Sequence, residues 1–281
     1  MYHEHCPMIW EGNVRKMGSV VNDLSEVNYR FRGADVLSPL QEEGANSWIG
    51  RKIKLSFGGM IHCVETGKAI KKTFGEGLSY DAFLRSPLAC PSIVRPELSR
   101  IHEGIALRDE EWEREHHLQP HVLYISQTSH AKVGVTRASN LPSRWVDQGA
   151  VGAVVVAHAP YRQLAGEMEV ALKHVLSDKT NWRAMLQKVE LDVEVLIEAK
   201  DACLDELGGA YESFFEMSDA VTSLRFPVLK YPGKVQSVKL DKEPVVEGVL
   251  AGIKGQYWIF EDGRVWNVRS HTGYRVRLEV S

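Results

Sequence analysis

The side chains of this chain that could do chemistry are concentrated between His121 and Arg183. A phenol at Tyr124, cations at Lys132, Arg137 and Arg144, carboxylates at Glu167 and Glu169, and amides at Gln148 and Asn181 follow one another there. These types are the parts that single-metal phosphodiester cleavage needs. A carboxylate holds Mg2+ or Mn2+, a base activates water, and a cation sits on the scissile phosphate. Arg144 lies near the start of a short helix, where a guanidinium and free backbone N–H groups make a sensible phosphate site. Each group also has a reading without chemistry. Tyr124 fits a buried strand tyrosine. Arg144 can pair with Asp147 or stack on Trp145, and Asp178 or Thr180 can cap the helix that starts at Trp182.

The elements that must position these groups can be read from periodicity. Residues 122–125 and 132–136 are short apolar runs separated by a polar loop, the pattern of a hairpin. Pro142 falls in the first turn of a short helix, residues 151–157 form a third apolar, β-branched run, and residues 162–176 a helix. A further helix is expected over 182–189. On the 162–176 helix, Leu164, Met168, Leu172, Val175 and Leu176 make one apolar stripe. Glu169 lies about 100° round from Met168, at the stripe's edge, and Glu167 flanks the other side. Periodicity does not choose between the two.

The blocks KVGVTR (132–137), RWVDQGA (144–150) and DKTNWR (178–183) occur in this order. In them, and over nearly all its length, the chain resembles a family of bacterial proteins of unknown function. The strand–strand–helix–strand–helix order, with Tyr124, Gly134, Arg144 and Glu169 at these places, also resembles the GIY-YIG nuclease fold over the middle third. That resemblance implies Glu169 as the ligand of Mg2+ or Mn2+, Tyr124 as the base, Arg144 on the phosphate and Asn181 as a further catalytic group. Arg137 is then a fallback phosphate contact, with Lys132, Trp145, Gln148 and Lys179 as substrate contacts. Lys132 stands where the GIY-YIG signature has its second tyrosine. The first resemblance also implies a zinc knuckle of two Cys-x-x-Cys pairs near Cys63. The matching positions here are Cys63 and Thr66, then Ser79 and Ala82. One thiolate cannot supply the four good ligands that structural zinc requires, so no zinc is expected. Phe74, Tyr80 and Phe83 are expected to hold that loop by packing.

The rest of the chain sets bounds. A chain of 281 residues has ample core for one large domain or several smaller ones. A hydrophobic content of 44%, a charged content of 25% and a net charge of −3 argue against a wholesale nucleic-acid coat, leaving local basic patches. Residues 1–7 read as a loose tail. No leader pattern and no run of membrane-spanning length is visible, and Cys6, Cys63, Cys90 and Cys203 lack paired spacing. A cytoplasmic protein with reduced thiols and no membrane partner is the expectation. Its oligomeric state is not legible.

The expected architecture is α+β. It has a β-rich N-terminal segment (8–57), a degenerate knuckle and helix (58–120), a GIY-YIG-like domain (121–189), an acidic helical segment (190–224) and a β-rich C-terminal segment (225–281). The two end segments are expected to join in a barrel-like domain. There, Lys230, Lys234, Lys239, Lys254, Arg264, Arg269, Arg275 and Arg277, with Tyr231, Tyr257 and Trp258, could track and stack on a nucleic acid. The expected function is a metal-dependent nucleic-acid phosphodiesterase acting on DNA or RNA. The alternatives are an inactive nucleic-acid or nucleotide binding module and a scaffolding protein, so whether it is an enzyme stays open at this level.

Overall fold

The computed structural model of the protein describes residues 8–176 and 181–281. The expected tail at 1–7 and the expected caps Asp178 and Thr180 lie outside the described residues. In chain order the first part comprises β1 (Met8–Val21), β2 (Val27–Ala34), β3 (Gln41–Gly44), β4 (Lys52–His62), β5 (Ala69–Ile70) and α1 (Tyr80–Arg85). Then come α2 (Pro91–Val94), α3 (Glu110–His117), β6 (His121–Gln127), β7 (Ala131–Arg137), α4 (Ser143–Asp147) and β8 (Gly152–Ala159). They are followed by α5 (Arg162–Ala171), α6 (Trp182–Met185), α7 (Val193–Leu207) and β9 (Thr222–Ser223). The chain ends in β10 (Gln236–Val238), β11 (Val245–Lys254), β12 (Tyr257–Phe260), β13 (Arg264–Asn267) and β14 (Tyr274–Val280). The fold is mixed α+β and divides into two units. One is the chain up to Leu84 together with Phe226–Ser281, and the other is Arg85–Arg225.

In the first unit the two ends of the chain share a ten-stranded sheet, ordered β10-β13-β12-β11-β4-β14-β1-β2-β3 with β5 on β4. The last strand lies between β1 and β4 and pairs antiparallel with both. Its alternation explains the placement: Tyr274, Val276, Leu278 and Val280 are buried, while Arg275, Arg277 and Glu279 point outward. A barrel is not formed, which corrects the expected closure. The sheet runs open from β10 to β3, and β3 is four exposed residues whose Glu42 is paired with Arg30 and Arg32 of β2. A short, charged edge of this kind resists further strand pairing. The core is aromatic: Trp258 packs against Phe31, Trp48 and Trp266 with ring centroids 5.5, 5.7 and 5.1 Å away.

The second unit holds a four-stranded antiparallel sheet, ordered β7-β6-β8-β9. The expected hairpin is present and pairs from His121↔Arg137 to Gln127↔Ala131. Every residue of β6 is buried because the strand is flanked on both sides. Leu123, Ile125, Val133, Val135, Val154 and Val156 share one core with Ala165, Met168 and Leu172 of the α5 region and with Leu196, Cys203 and Leu207 of α7. The expected 162–176 helix ends as α at Ala171 and continues as one 3-10 turn, Leu172–His174. The 182–189 helix is shorter than its pattern, ending at Met185.

Candidate functional site

Tyr124 stands between Leu123 and Ile125 on β6, so strand alternation turns it away from the α5–α7 core. Its cross-strand partner is Gly134 on β7, the edge strand of the sheet. A Cβ at position 134 would lie 2.7 Å from the Tyr124 hydroxyl. The glycine thus leaves the space that the phenol occupies as it crosses the edge strand. The Tyr124 ring meets Trp145 of α4 edge-on, with centroids 6.0 Å apart. Trp145 is buried, so it packs behind the site and has no exposed face for a base.

Arg144 precedes Trp145 on α4, and its guanidinium approaches the phenol. Burial pushes the Tyr124 pKa up. The nearby Arg144 charge and the approach of the Arg144 and Gln148 side chains oppose this, and Glu169 adds to the rise. For Arg144 burial acts downward, but Tyr124, Asp147 and Glu169 together carry its pKa above the ordinary value. The phenol and the guanidinium are thus neighbours, and the charge of Glu169 on α5 acts on both. Even so, the Tyr124 hydroxyl, Arg144 Nε and Trp145 Nε1 are buried and complete no hydrogen bond of ordinary geometry among the described residues. Such orphaned donors are rare in folded proteins. Of the two glutamates left open by periodicity, Glu169 is half-buried and Glu167 is exposed.

The structure adds residues to which sequence analysis assigned no role at this site. Arg162, in the first turn of α5, is buried. It donates from Nε to the Ser92 carbonyl at 2.8 Å and from a terminal nitrogen to the Ile93 carbonyl at 2.9 Å. Its other terminal nitrogen faces His121 Nε2 at 3.5 Å. Burial lowers its pKa to about 10; Glu169 opposes the fall, and Arg144 and Arg137 reinforce it. His121 donates from Nδ1 to the Gln119 carbonyl at 2.7 Å. Its pKa falls to about 4, chiefly by burial and further by Arg162 and Arg137. His117, 3.1 Å from the Ser99 hydroxyl, falls to about 3 by burial, with Arg162 and His121 adding to it. The seven-residue interval between Arg162 and Glu169, two helical turns, was the one available signal, since it puts both on one face of α5.

The remaining candidates are dispersed. Lys132 is buried opposite Ser126, whose hydroxyl donates to Gln148 Oε1 at 3.4 Å. Arg137 lies opposite His121. Asn181 caps α6, its side-chain oxygen accepting from the Ala184 N–H at 3.2 Å. Lys179 lies outside the described residues. Among the described residues no group of three or more His, Cys, Asp or Glu side chains is placed to hold a metal ion. In the knuckle region the Ser79 N–H donates to Cys63 Sγ at 3.2 Å. Burial raises the Cys63 pKa, but hydrogen bonds from Thr66, Ser79 and Glu65 outweigh it and leave a value of about 7. The Phe74 ring packs 5.1 Å from Tyr80 and 6.1 Å from Phe83.

The C-terminal basic surface needs correction. Trp258 and Lys254 are fully buried and cannot meet a nucleic acid. Arg264 pairs with Asp262, Arg269 with Glu76, Arg275 with Glu11 and Asp35, and Arg277 with Glu279. Counting cations along the sequence missed these carboxylates because most of their partners are far away in the chain.

A family model described as a protein of unknown function, DUF2797, matches residues 50–276. The chain belongs to the DUF2797 family. No match was found among the curated proteins or among the solved structures. Among the described residues of this DUF2797 member no helix is long and apolar enough to cross a membrane.

Proposed function

We propose that this DUF2797 protein acts on nucleic-acid phosphodiesters at the Tyr124–Arg144–Glu169 site, as a metal-dependent endonuclease of GIY-YIG type. One observation carries the reading. The buried Tyr124 hydroxyl and Arg144 Nε complete no hydrogen bond of ordinary geometry among the described residues, and the Glu169 charge acts on both. Donors of this kind are satisfied by an oxyanion, and Arg144 suits a phosphate in geometry and charge.

Glu169 would hold Mg2+ or Mn2+. One carboxylate fits these ions, which keep several waters and share substrate phosphate oxygens. Bound there, the ion would lower the pKa of its water and neutralise charge on the phosphate. Arg144 would fix the non-bridging oxygens. Tyr124 could take a proton from the attacking water only as the phenolate, after passing its own proton to solvent, and the Arg144 guanidinium would favour that form because its charge is the largest influence opposing the burial-driven rise of the phenol pKa. Gly134, opposite Tyr124 in the hairpin, leaves the room in which the phenol sits.

The test is nicking of plasmid DNA and of single-stranded RNA with Mg2+ or Mn2+. Cleavage that Glu169→Ala abolishes while circular dichroism is unchanged is the expected result. A second reading, a binding module without hydrolysis, is favoured by the full burial of Tyr124 and its raised pKa, which suit a donor better than a base. It predicts salt-dependent binding that survives Glu169→Ala, with no nicking. Neither nicking nor binding would overturn both.

A further inference from the structure

Gln148 is the polar group of this site to which the proposed chemistry gives no task. It is the residue that follows α4, and its N–H donates to the Arg144 carbonyl at 3.3 Å, so the two stand one helical turn apart. Trp145, three residues before Gln148, packs against the Tyr124 ring with centroids 6.0 Å apart. Tyr124 and Ser126 are two apart on β6 and therefore share a face of the sheet. One face of α4 thus meets that strand at two points, with Trp145 against the phenol ring and Gln148 at Ser126. The buried Ser126 hydroxyl donates to Gln148 Oε1 at 3.4 Å. Once the carbonyl end of an amide is taken, its NH2 end points the other way. Here the Gln148 side chain also approaches the Tyr124 phenol. The charged neighbours of the phenol are Arg144 of α4, Glu169 of α5 and, on the same sheet face, the buried Lys132 of β7 opposite Ser126. Gln148 differs from all three in carrying no charge, so what it supplies is a donor of fixed direction.

We infer that Gln148 is the positioning residue of Tyr124: the Ser126 hydroxyl holds the carboxamide oxygen, and the carboxamide N–H groups turn to the phenol oxygen, where they favour the phenolate over the phenol. This rests on the proposed function, in which Tyr124 takes a proton only as the phenolate. The contact is incomplete while the phenol keeps its proton, since the hydroxyl completes no hydrogen bond of ordinary geometry among the described residues. It closes as the oxygen gains charge, because a charged acceptor draws its donors in. No proton passes through Gln148. With the amide reversed, Gln148 would accept from the phenol O–H and oppose its ionisation, so the two arrangements predict shifts of opposite sign.

The experiment uses the full chain with difluorotyrosine in place of Tyr124, whose more acidic phenol is titrated by fluorine nuclear magnetic resonance. Gln148→Met keeps the length of the side chain and removes its donors. It should move the ionisation midpoint of that phenol up by about 1 to 2 pH units. Ser126→Ala should move it the same way by less. Arg144, Lys132 and Glu169 stay in place in every variant, so the shift belongs to the amide; Gln148→Leu serves as the second variant should Gln148→Met not fold. In the unsubstituted chain, kcat for nicking at neutral pH should fall about tenfold or more in Gln148→Met, with KM for the nucleic-acid strand unchanged, and should recover as pH rises. A merely structural Gln148 would leave the midpoint where it is. An unmoved midpoint overturns the inference, and so does a downward one, which would make Gln148 an acceptor. A shift in Gln148→Met that Ser126→Ala lacks overturns the orienting role of Ser126. The titration needs no catalysis, so a chain that neither nicks nor binds takes down the proposed function while the midpoint still decides what Gln148 does.

Discussion

The Tyr124 hydroxyl and the Lys254 ammonium show what a buried polar atom without a partner implies in two settings. Tyr124 is fully buried, and its hydroxyl completes no hydrogen bond of ordinary geometry among the described residues. Removing an unsatisfied group costs little, so Tyr124→Phe should change unfolding free energy by less than about 1 kcal/mol, or raise it. Strand binding or nicking should fall in the same variant; a large loss of stability in urea denaturation would mean the hydroxyl is structural. Lys254 is fully buried between the Phe226 and Tyr231 rings, 5.4 and 5.6 Å from their centroids, and its Nζ has no hydrogen-bond partner. Burial lowers its pKa to about 8 from an unfolded value of 10.5. Below the folded value both states are protonated and the native state carries the full penalty. Between the two values the unfolded state binds the proton and the native state does not, so stability rises with pH there. Lys254→Met should therefore stabilise the protein at pH 7 by up to about 3 kcal/mol. The difference should shrink as pH rises from about 8 to 10.5, as read by denaturant midpoints.

At the level of elements, helix α5 carries Arg162 and Glu169, and its seat is set by Gly166. A Cβ there would overlap the backbone nitrogen of Glu97 in the turn Pro96–Leu98. Alanine normally favours a helix over glycine by about 1 kcal/mol. Gly166→Ala should nonetheless destabilise by about 1–3 kcal/mol, since the turn's backbone cannot move aside as a flexible side chain would. Thermal unfolding checks it, and a stabilised variant would show that α5 can shift outward. Asn181 offers a contrast, because its visible bond is a helix cap. Asn181→Ala should cost about 1 kcal/mol and leave nicking per folded molecule unchanged. Reduced nicking at full stability would restore the catalytic role that the resemblance implies. The short helix it caps also shows a limit of pattern reading. Periodicity extended over 182–189, but helical structure stops at Met185, because short helices depend more on what they pack against than on propensity.

For the whole molecule, acid response is the clearest consequence of the buried imidazoles. His117 and His121 fold with pKa values of about 3 and about 4, below the 6.5 of the exposed group. Between these values the unfolded chain binds protons that the native chain refuses, so stability falls as pH drops from about 6.5 toward 4. Each histidine contributes a slope of up to about 1.4 kcal/mol per pH unit. Protonating His121 would also turn Nε2 into a donor facing the Arg162 guanidinium. His117→Asn with His121→Gln should flatten the stability profile between pH 7 and 4.5 in urea titrations. An unchanged slope would assign acid sensitivity to other groups.

Taken by itself, the sequence determined what repeats locally along the chain. The β6–β7 hairpin, the alternation of β14, the apolar stripe of α5 and the family blocks depend on spacings of two to four residues or on short runs. The joining of the two chain ends in one sheet was legible for the same reason, because both ends alternate. Which faces meet depends on packing between distant segments, and tertiary structure decided it. It turned Trp258 and Lys254 inward, paired Arg275 with Glu11 and Asp35, and left the sheet open at β3. It also brought Arg162 of α5 to His121 of β6 and to the carbonyls of Ser92 and Ile93, about seventy residues earlier. No local pattern carries that information, because a buried guanidinium and an exposed one occupy the same kind of helical position until the opposing surface is known.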